Sequence, residues 1–204
     1  MGNEDLLTVG DEHKRKLFYR FTPAALVSNF VPLIVILDEN ATHFEHKMWN
    51  VLTPLDYFGS KNKDLLQELI EQIVEEYECE DHIYFYGSGM GGYGAILHGI
   101  LCGANAVYAD RPCIRLQKTS DGDTSTKEND LTHFLNATDP FPVFYLCENE
   151  NMDEVPQKNE TAYFAEACKQ HDIKVHLDFC PKSEDETQVI KEVLGFFERM
   201  ASEG

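Results

Sequence analysis

Short apolar runs of strand length alternate along this chain with segments of helical period, an order that leads to a mostly parallel sheet with helices on both faces. The strand-like runs are "KLFYRF" (Lys16 to Phe21), "VPLIVILD" (Val31 to Asp38), "HIYFYG" (His82 to Gly87), "NAVYAD" (Asn105 to Asp110), "FPVFYLC" (Phe141 to Cys147) and "IKVHLDF" (Ile173 to Phe179), with a weaker one in "NVLTPLD". Between them, "NKDLLQELIEQIVEEYECE" sets Leu66, Leu69, Ile70, Ile73, Val74 and Tyr77 on one stripe, the spacing that turns a single helix face inward. Two further helices are expected in "TAYFAEACKQHD" and "ETQVIKEVLGFFERM", the second burying Val189, Ile190, Val193, Leu194 and Phe197. Ser183 and Glu186 have the S-x-x-E spacing of a capping box that would start this last helix. Residues 1–204 therefore predict a single α/β domain, a three-layer sandwich of about seven or eight strands. "LQKTSDGDTSTKEND" is polar and aperiodic, and 117–131 are expected to form a mobile surface excursion beside a strand's carboxyl end.

The hydrophobic share of 43% over 204 residues is enough for one substantial core. A net charge of −19, from 36 acidic against 17 basic side chains with no local Lys/Arg cluster, argues against nucleic acid and anionic membrane as partners. The first residues hold no apolar run and none later approaches bilayer-spanning length, so a cytoplasmic protein is expected. Met1-Gly2 opens like a myristoylation site, but Leu6 stands where that motif wants Ser or Thr. The six cysteines (Cys79, Cys102, Cys113, Cys147, Cys168 and Cys180) form no CxxC pair, so reduced thiols and no metal site are expected.

The glycine-rich turn after "HIYFYG" supports two readings. Gly87, Gly89 and Gly92 fit G-x-G-x-x-G, with Asp110 about 20 residues on, as a dinucleotide site requires. That fingerprint belongs to the first βα unit of its domain, whereas at least two strands come earlier here. The same turn, Gly87-Ser88-Gly89-Met90-Gly91, fits the nucleophile elbow G-x-Nuc-x-G with Gly89 at the apex. Together with "LCGANAVYADRP" and, upstream, "VPLIVILDENATHFEHKMW" and "LDYFG", it resembles α/β-hydrolase-fold proteins associated with surface-polysaccharide biosynthesis and accessory Sec secretion. The resemblance covers about a quarter of the chain closely and implies an α/β-hydrolase-like fold.

Chemistry is where the chain departs from that family. Acyl transfer needs an apex hydroxyl or thiol, a histidine to take its proton and an acid to orient the histidine. Gly89 supplies no nucleophile. The resemblance implies an acid after "FPVFYLC", where Asp153 is the candidate, and a histidine after "IKVHLDF", where "CPKSEDE" has none. His43 and His46 fall near an oxyanion loop, and His176 falls within a strand. Ser88 and Cys180 are the fallback nucleophiles, with Cys113 and Cys147 also at strand ends. What remains is a binding geometry at Ser88, Gly89 and Met90, whose backbone N–H groups attract anions and carbonyl oxygens. The expectation is a catalytically silent module, without cofactor, holding an acyl or glycan ligand or a protein partner. The alternatives are an esterase or acyltransferase with a displaced nucleophile, and a dinucleotide-binding domain.

Overall fold

The computed structural model describes residues 6–26, 31–38, 44–55, 62–79, 82–116, 129–136, 140–147, 160–177, 180–181 and 185–203. Its strands are β1 (Leu7–Gly10), β2 (Lys16–Thr22), β3 (Leu33–Leu37), β4 (Asn50–Leu55), β5 (Ile83–Ser88), β6 (Ala106–Asp110), β7 (Val143–Cys147) and β8 (Val175–His176). Its helices are α1 (Lys63–Tyr77), α2 (Met90–Leu101), α3 (Glu160–Gln170) and α4 (Glu186–Glu203). One eight-stranded sheet runs in the order β1-β2-β4-β3-β5-β6-β7-β8. β1 and β2 pair antiparallel with each other, β2 pairs antiparallel with β4, and every other pairing is parallel.

Two cores follow from strand alternation. Leu33, Val35 and Leu37 face one side with Phe85 and Val107, packed beneath Leu66, Leu69 and Ile70 of α1, Ile96 of α2 and Phe164 of α3. Ile34 and Ile36 face the other side with Tyr84, Tyr86 and Tyr108, beneath Ile190, Val193, Leu194 and Phe197 of α4. β3 is buried along its whole length, which is why its sequence reads as an unbroken apolar run rather than an alternating one. Each such Leu, Ile or Phe contributes about 1.5–3 kcal/mol by leaving water. Trp49 fastens α4 to this layer, its Nε1–H donating to Glu198 Oε1 at 2.8 Å.

Three expectations need correction. β1 was not foreseen, because it is four residues long and largely exposed, so it leaves no apolar alternation. Asp11 builds the turn that returns it: one carboxylate oxygen accepts the N–H groups of His13 and Arg15, and the other accepts Arg15 Nε–H. The strand expected over "IKVHLDF" is regular only at Val175–His176. α4 begins at Glu186 with Asp185 as its cap, Asp185 Oδ1 accepting the Gln188 N–H at 2.9 Å. Ser183 and most of the 117–131 segment lie outside the described residues. Among the described residues no helix is long and apolar enough to cross a membrane.

Candidate functional site

The carboxyl ends of the central strands meet at the turn between β5 and α2, and Gly89 is its crest. Its φ of 54° and ψ of −115° lie where an L side chain is strained and glycine is not. The neighbouring glycines serve close approach instead. A Cβ on Gly87 would sit 2.1 Å from the Gly91 carbonyl oxygen, and one on Gly92 would sit 2.9 Å from Pro112 Cβ. At Gly89 a Cβ would meet nothing within 4 Å among the described residues.

Hydrogen bonds hold the crest from both sides. Gly89 N–H donates to the Asp110 carbonyl at 2.9 Å, while the Gly89 carbonyl accepts the Tyr93 N–H at 3.3 Å and the Cys113 N–H at 3.1 Å. Gly89, the N-cap of α2, has no side chain to cap it, and no other capping side chain is found among the described residues. The N–H groups of Met90, Gly91 and Gly92 therefore form the bare positive end of the helix, suited to an anion or a carbonyl oxygen.

The side chains at this edge are carboxylates and phenols. Strand alternation places Asp38, Ser88 and Asp110 on the α4 side of the sheet, above Tyr86 and Tyr108, whose rings stack 6.0 Å apart. Burial raises both phenols far above their usual range, and the negative charges of Asp38, Asp110 and Glu186 add to this at Tyr86. At Tyr108, Asp110 is the main charge adding to burial. Glu186, the first residue of α4, is also raised, by burial and then by the charge of Asp38 and a hydrogen bond with it. Glu186 thus holds its proton more readily than an isolated carboxyl would. Ser88 Oγ donates to Asp110 Oδ2 at 3.4 Å, and Arg111 Nη2 pairs with the same oxygen at 2.9 Å.

Ser88, Gly89 and Met90 thus lie together as expected of neighbours in one turn, and the remaining candidates divide. Asp153 and His43 lie outside the described residues. His46 accepts the Met48 N–H through Nδ1. Burial lowers its pKa, and the charges that reach it are Glu198 and Lys191 of α4. Glu198 lies about 18 Å along the helix from Glu186, which takes His46 away from the crest. His176 is exposed on the edge strand, its ring stacked 4.9 Å from Tyr145. Ser88's hydroxyl bonds Asp110 and, among the described residues, no histidine.

Cys180 is not a free thiol. It forms a disulfide with Cys147, which removes both from the candidate nucleophiles and corrects the expectation of reduced cysteines for this pair. Cys113 remains a thiol beside the crest, its pKa raised by burial and by the charge of Glu160, the reverse of what a reactive thiolate needs. Asp38 and Glu186 are not site candidates in the sequence, where Glu186 reads only as half of a capping box. Their signal was positional: one carboxylate directly follows a central strand, and the other opens the last helix. Among the described residues, no three His, Cys, Asp or Glu side chains gather as a metal site would require.

No family model matches this sequence, and no curated protein matches it. Solved structures do. Over 100% of this chain and 96% of the other, it superposes on Thermogutta terrifontis esterase 2 with a TM-score of 0.67 at 14% identity. The S-formylglutathione hydrolase FrmB from Staphylococcus aureus gives a TM-score of 0.68 at 11% identity, covering 94% of both chains. A lipase/esterase from Lactobacillus plantarum gives 0.64 at 12% identity, covering 97% of this chain and 98% of the other.

The chain has the α/β-hydrolase fold. In enzymes of that fold a sharp strand-to-helix turn of this kind carries the nucleophile at the top of the sheet. Each glycine of the fingerprint has a local reason, Gly87 its approach to Gly91, Gly89 its positive φ and Gly92 its approach to Pro112, and Asp110 is engaged by Ser88 and Arg111. The turn also follows the fifth strand of a hydrolase order, not the first strand of a dinucleotide-binding one.

Proposed function

We propose that this protein is a catalytically silent module of the hydrolase fold that holds an acylated or glycan ligand over Ser88, Gly89 and Met90. The observation that carries this is Gly89 itself: the position of the hydrolase nucleophile has the backbone angles of an elbow and no side chain. Removing a triad nucleophile or base costs on the order of 10⁴ to 10⁶ in turnover, whereas helix-end N–H donors still bind a carbonyl or carboxylate without chemistry. The resemblance of the turn to surface-polysaccharide and accessory Sec proteins suggests glycan or glycoprotein handling as the setting, with a protein partner as the other candidate for the crest. A cytoplasmic location is part of this proposal, and the Cys147–Cys180 bond is what weighs against it.

Amide-resolved NMR tests the reading, with acetate and an O-acetylated hexose as probes. The expected result is saturable shifts at Met90, Gly91 and Gly92, with the ester recovered intact. Shifts absent from the crest, or turnover of the ester, would overturn it. A displaced-nucleophile esterase is the second reading. It is favoured by the Ser88–Asp110 hydrogen bond and by the esterase activities named for the structures of similar fold, with Asp153 as its acid. Among the described residues no histidine bonds Ser88, and ester turnover in the same titration is the outcome that would support it.

A further inference from the structure

We propose that the Cys147–Cys180 disulfide is a reversible redox latch on the crest, a regulation that rests on the binding role given above to Gly89 and its neighbours. Cys147 ends β7, and Cys180 lies four positions beyond β8, with 5.3 Å between their Cα atoms. β8 is a short edge strand: among the described residues it pairs through Phe144 with Val175 and Tyr145 with His176, the Phe144 N–H donates to the Lys174 carbonyl at 3.0 Å, Val175 packs against the core and the His176 ring stacks on Tyr145. So short an edge ladder is weak, and the covalent bond fixes the chain beyond it to the sheet.

From that bond a short path reaches the crest. The Cys147 carbonyl accepts the Arg111 N–H at 2.8 Å, and the preceding residue, Asp110, accepts the Gly89 N–H through its carbonyl and the Ser88 hydroxyl through its carboxylate. Freeing Cys147 loosens the first of these contacts, and through it the strand end that positions Gly89.

The reductant is a dithiol, and the accessible partner is Cys180, which is exposed where Cys147 is buried. A thiolate of the reductant bonds to the Cys180 sulfur as the S–S bond breaks, and Cys147 leaves as a thiolate that takes a proton. The second thiol of the reductant then displaces Cys180, which leaves and is protonated in turn. Two electrons and two protons pass to the protein, and the dithiol becomes a disulfide. Oxidation by a disulfide of the same class runs the sequence backwards.

Hydrogen–deuterium exchange on the full chain tests the latch, comparing oxidised protein with protein treated with dithiothreitol under native conditions and trapped with iodoacetamide. The expected result is alkylation mapped to both Cys147 and Cys180, with exchange at the Arg111 and Gly89 amides at least about tenfold faster and Phe85 and Val107 unchanged. The C147S/C180S double variant should show the reduced pattern and ignore the dithiol; the reduced wild-type chain gives the answer even if that variant does not fold. Three results would overturn the proposal: a bond that opens only in denaturant, crest exchange equal in both states, or protection lost at Phe85 and Val107 as well, which would make the bond a staple of the whole fold. Acetate titration of the same two samples separates the two claims, because a crest that binds acetate in neither state removes the binding role and leaves the exchange result standing.

Discussion

Gly89 shows how one residue can keep a shape and lose a reaction. A Cβ there would meet no atom within 4 Å among the described residues, but the residue carrying it would have to adopt a φ of 54°. Gly89→Ser is expected to destabilise the protein by about 1–3 kcal/mol through backbone strain, measured by urea unfolding. It is also expected to leave hydrolysis of an activated ester at the buffer rate, because among the described residues no histidine is bonded at the crest. His98 gives a second test at this scale. It is 2% exposed on α2, and burial, reinforced by Lys63, lowers its pKa from 6.5 to about 4. The unfolded chain binds a proton there at a pH where the folded chain does not. Its contribution is therefore intact above pH 6.5 and is lost as pH falls towards 4, by about 3 kcal/mol in all. His98→Leu should flatten that part of the pH dependence, seen by comparing urea midpoints of the two proteins at pH 7 and pH 4.5.

Elements are where the chain was easiest and hardest to read. α1 and α4 were legible because their apolar stripes face one core each, and β3 and β5 because buried strands are apolar throughout. β1 was not, since an exposed four-residue edge strand has no burial pattern to betray it. The cap of α4 was misplaced because Ser183 and Glu186 have the spacing of a capping box while Asp185, an equally good cap residue, stands between them, and the sequence does not say which of Ser183 and Asp185 is the last residue outside the helix. The bond to the Gln188 N–H assigns the cap to Asp185. Asp185→Ala should accordingly cost about 1 kcal/mol, whereas Ser183→Ala should cost less; thermal or chemical denaturation of the two variants distinguishes them. The disulfide was hidden for a different reason. Its cysteines are 33 residues apart, and only the sheet order, with β8 beside β7, brings them together.

For the whole molecule, the alternation of strand and helix was enough to give the fold class, and the glycine turn was enough to suggest the superfamily whose fold the solved structures share. The site was legible only where it is backbone. The turn carries its geometry in its own glycines, whereas the carboxylates around it come from β3, β6 and α4, elements that only the folded sheet assembles. They set acids at this edge, Glu186 among them raised by burial and by the charge of Asp38, and no nucleophile–histidine pair lies among the described residues. The most direct measurement is intact-mass and peptide mapping after incubation with a fluorophosphonate, beside a serine esterase of the same fold as positive control. The account predicts an unchanged mass for this chain under conditions that label the control completely. A stoichiometric adduct on Ser88, or on any other residue at the carboxyl edge of the sheet, would contradict it.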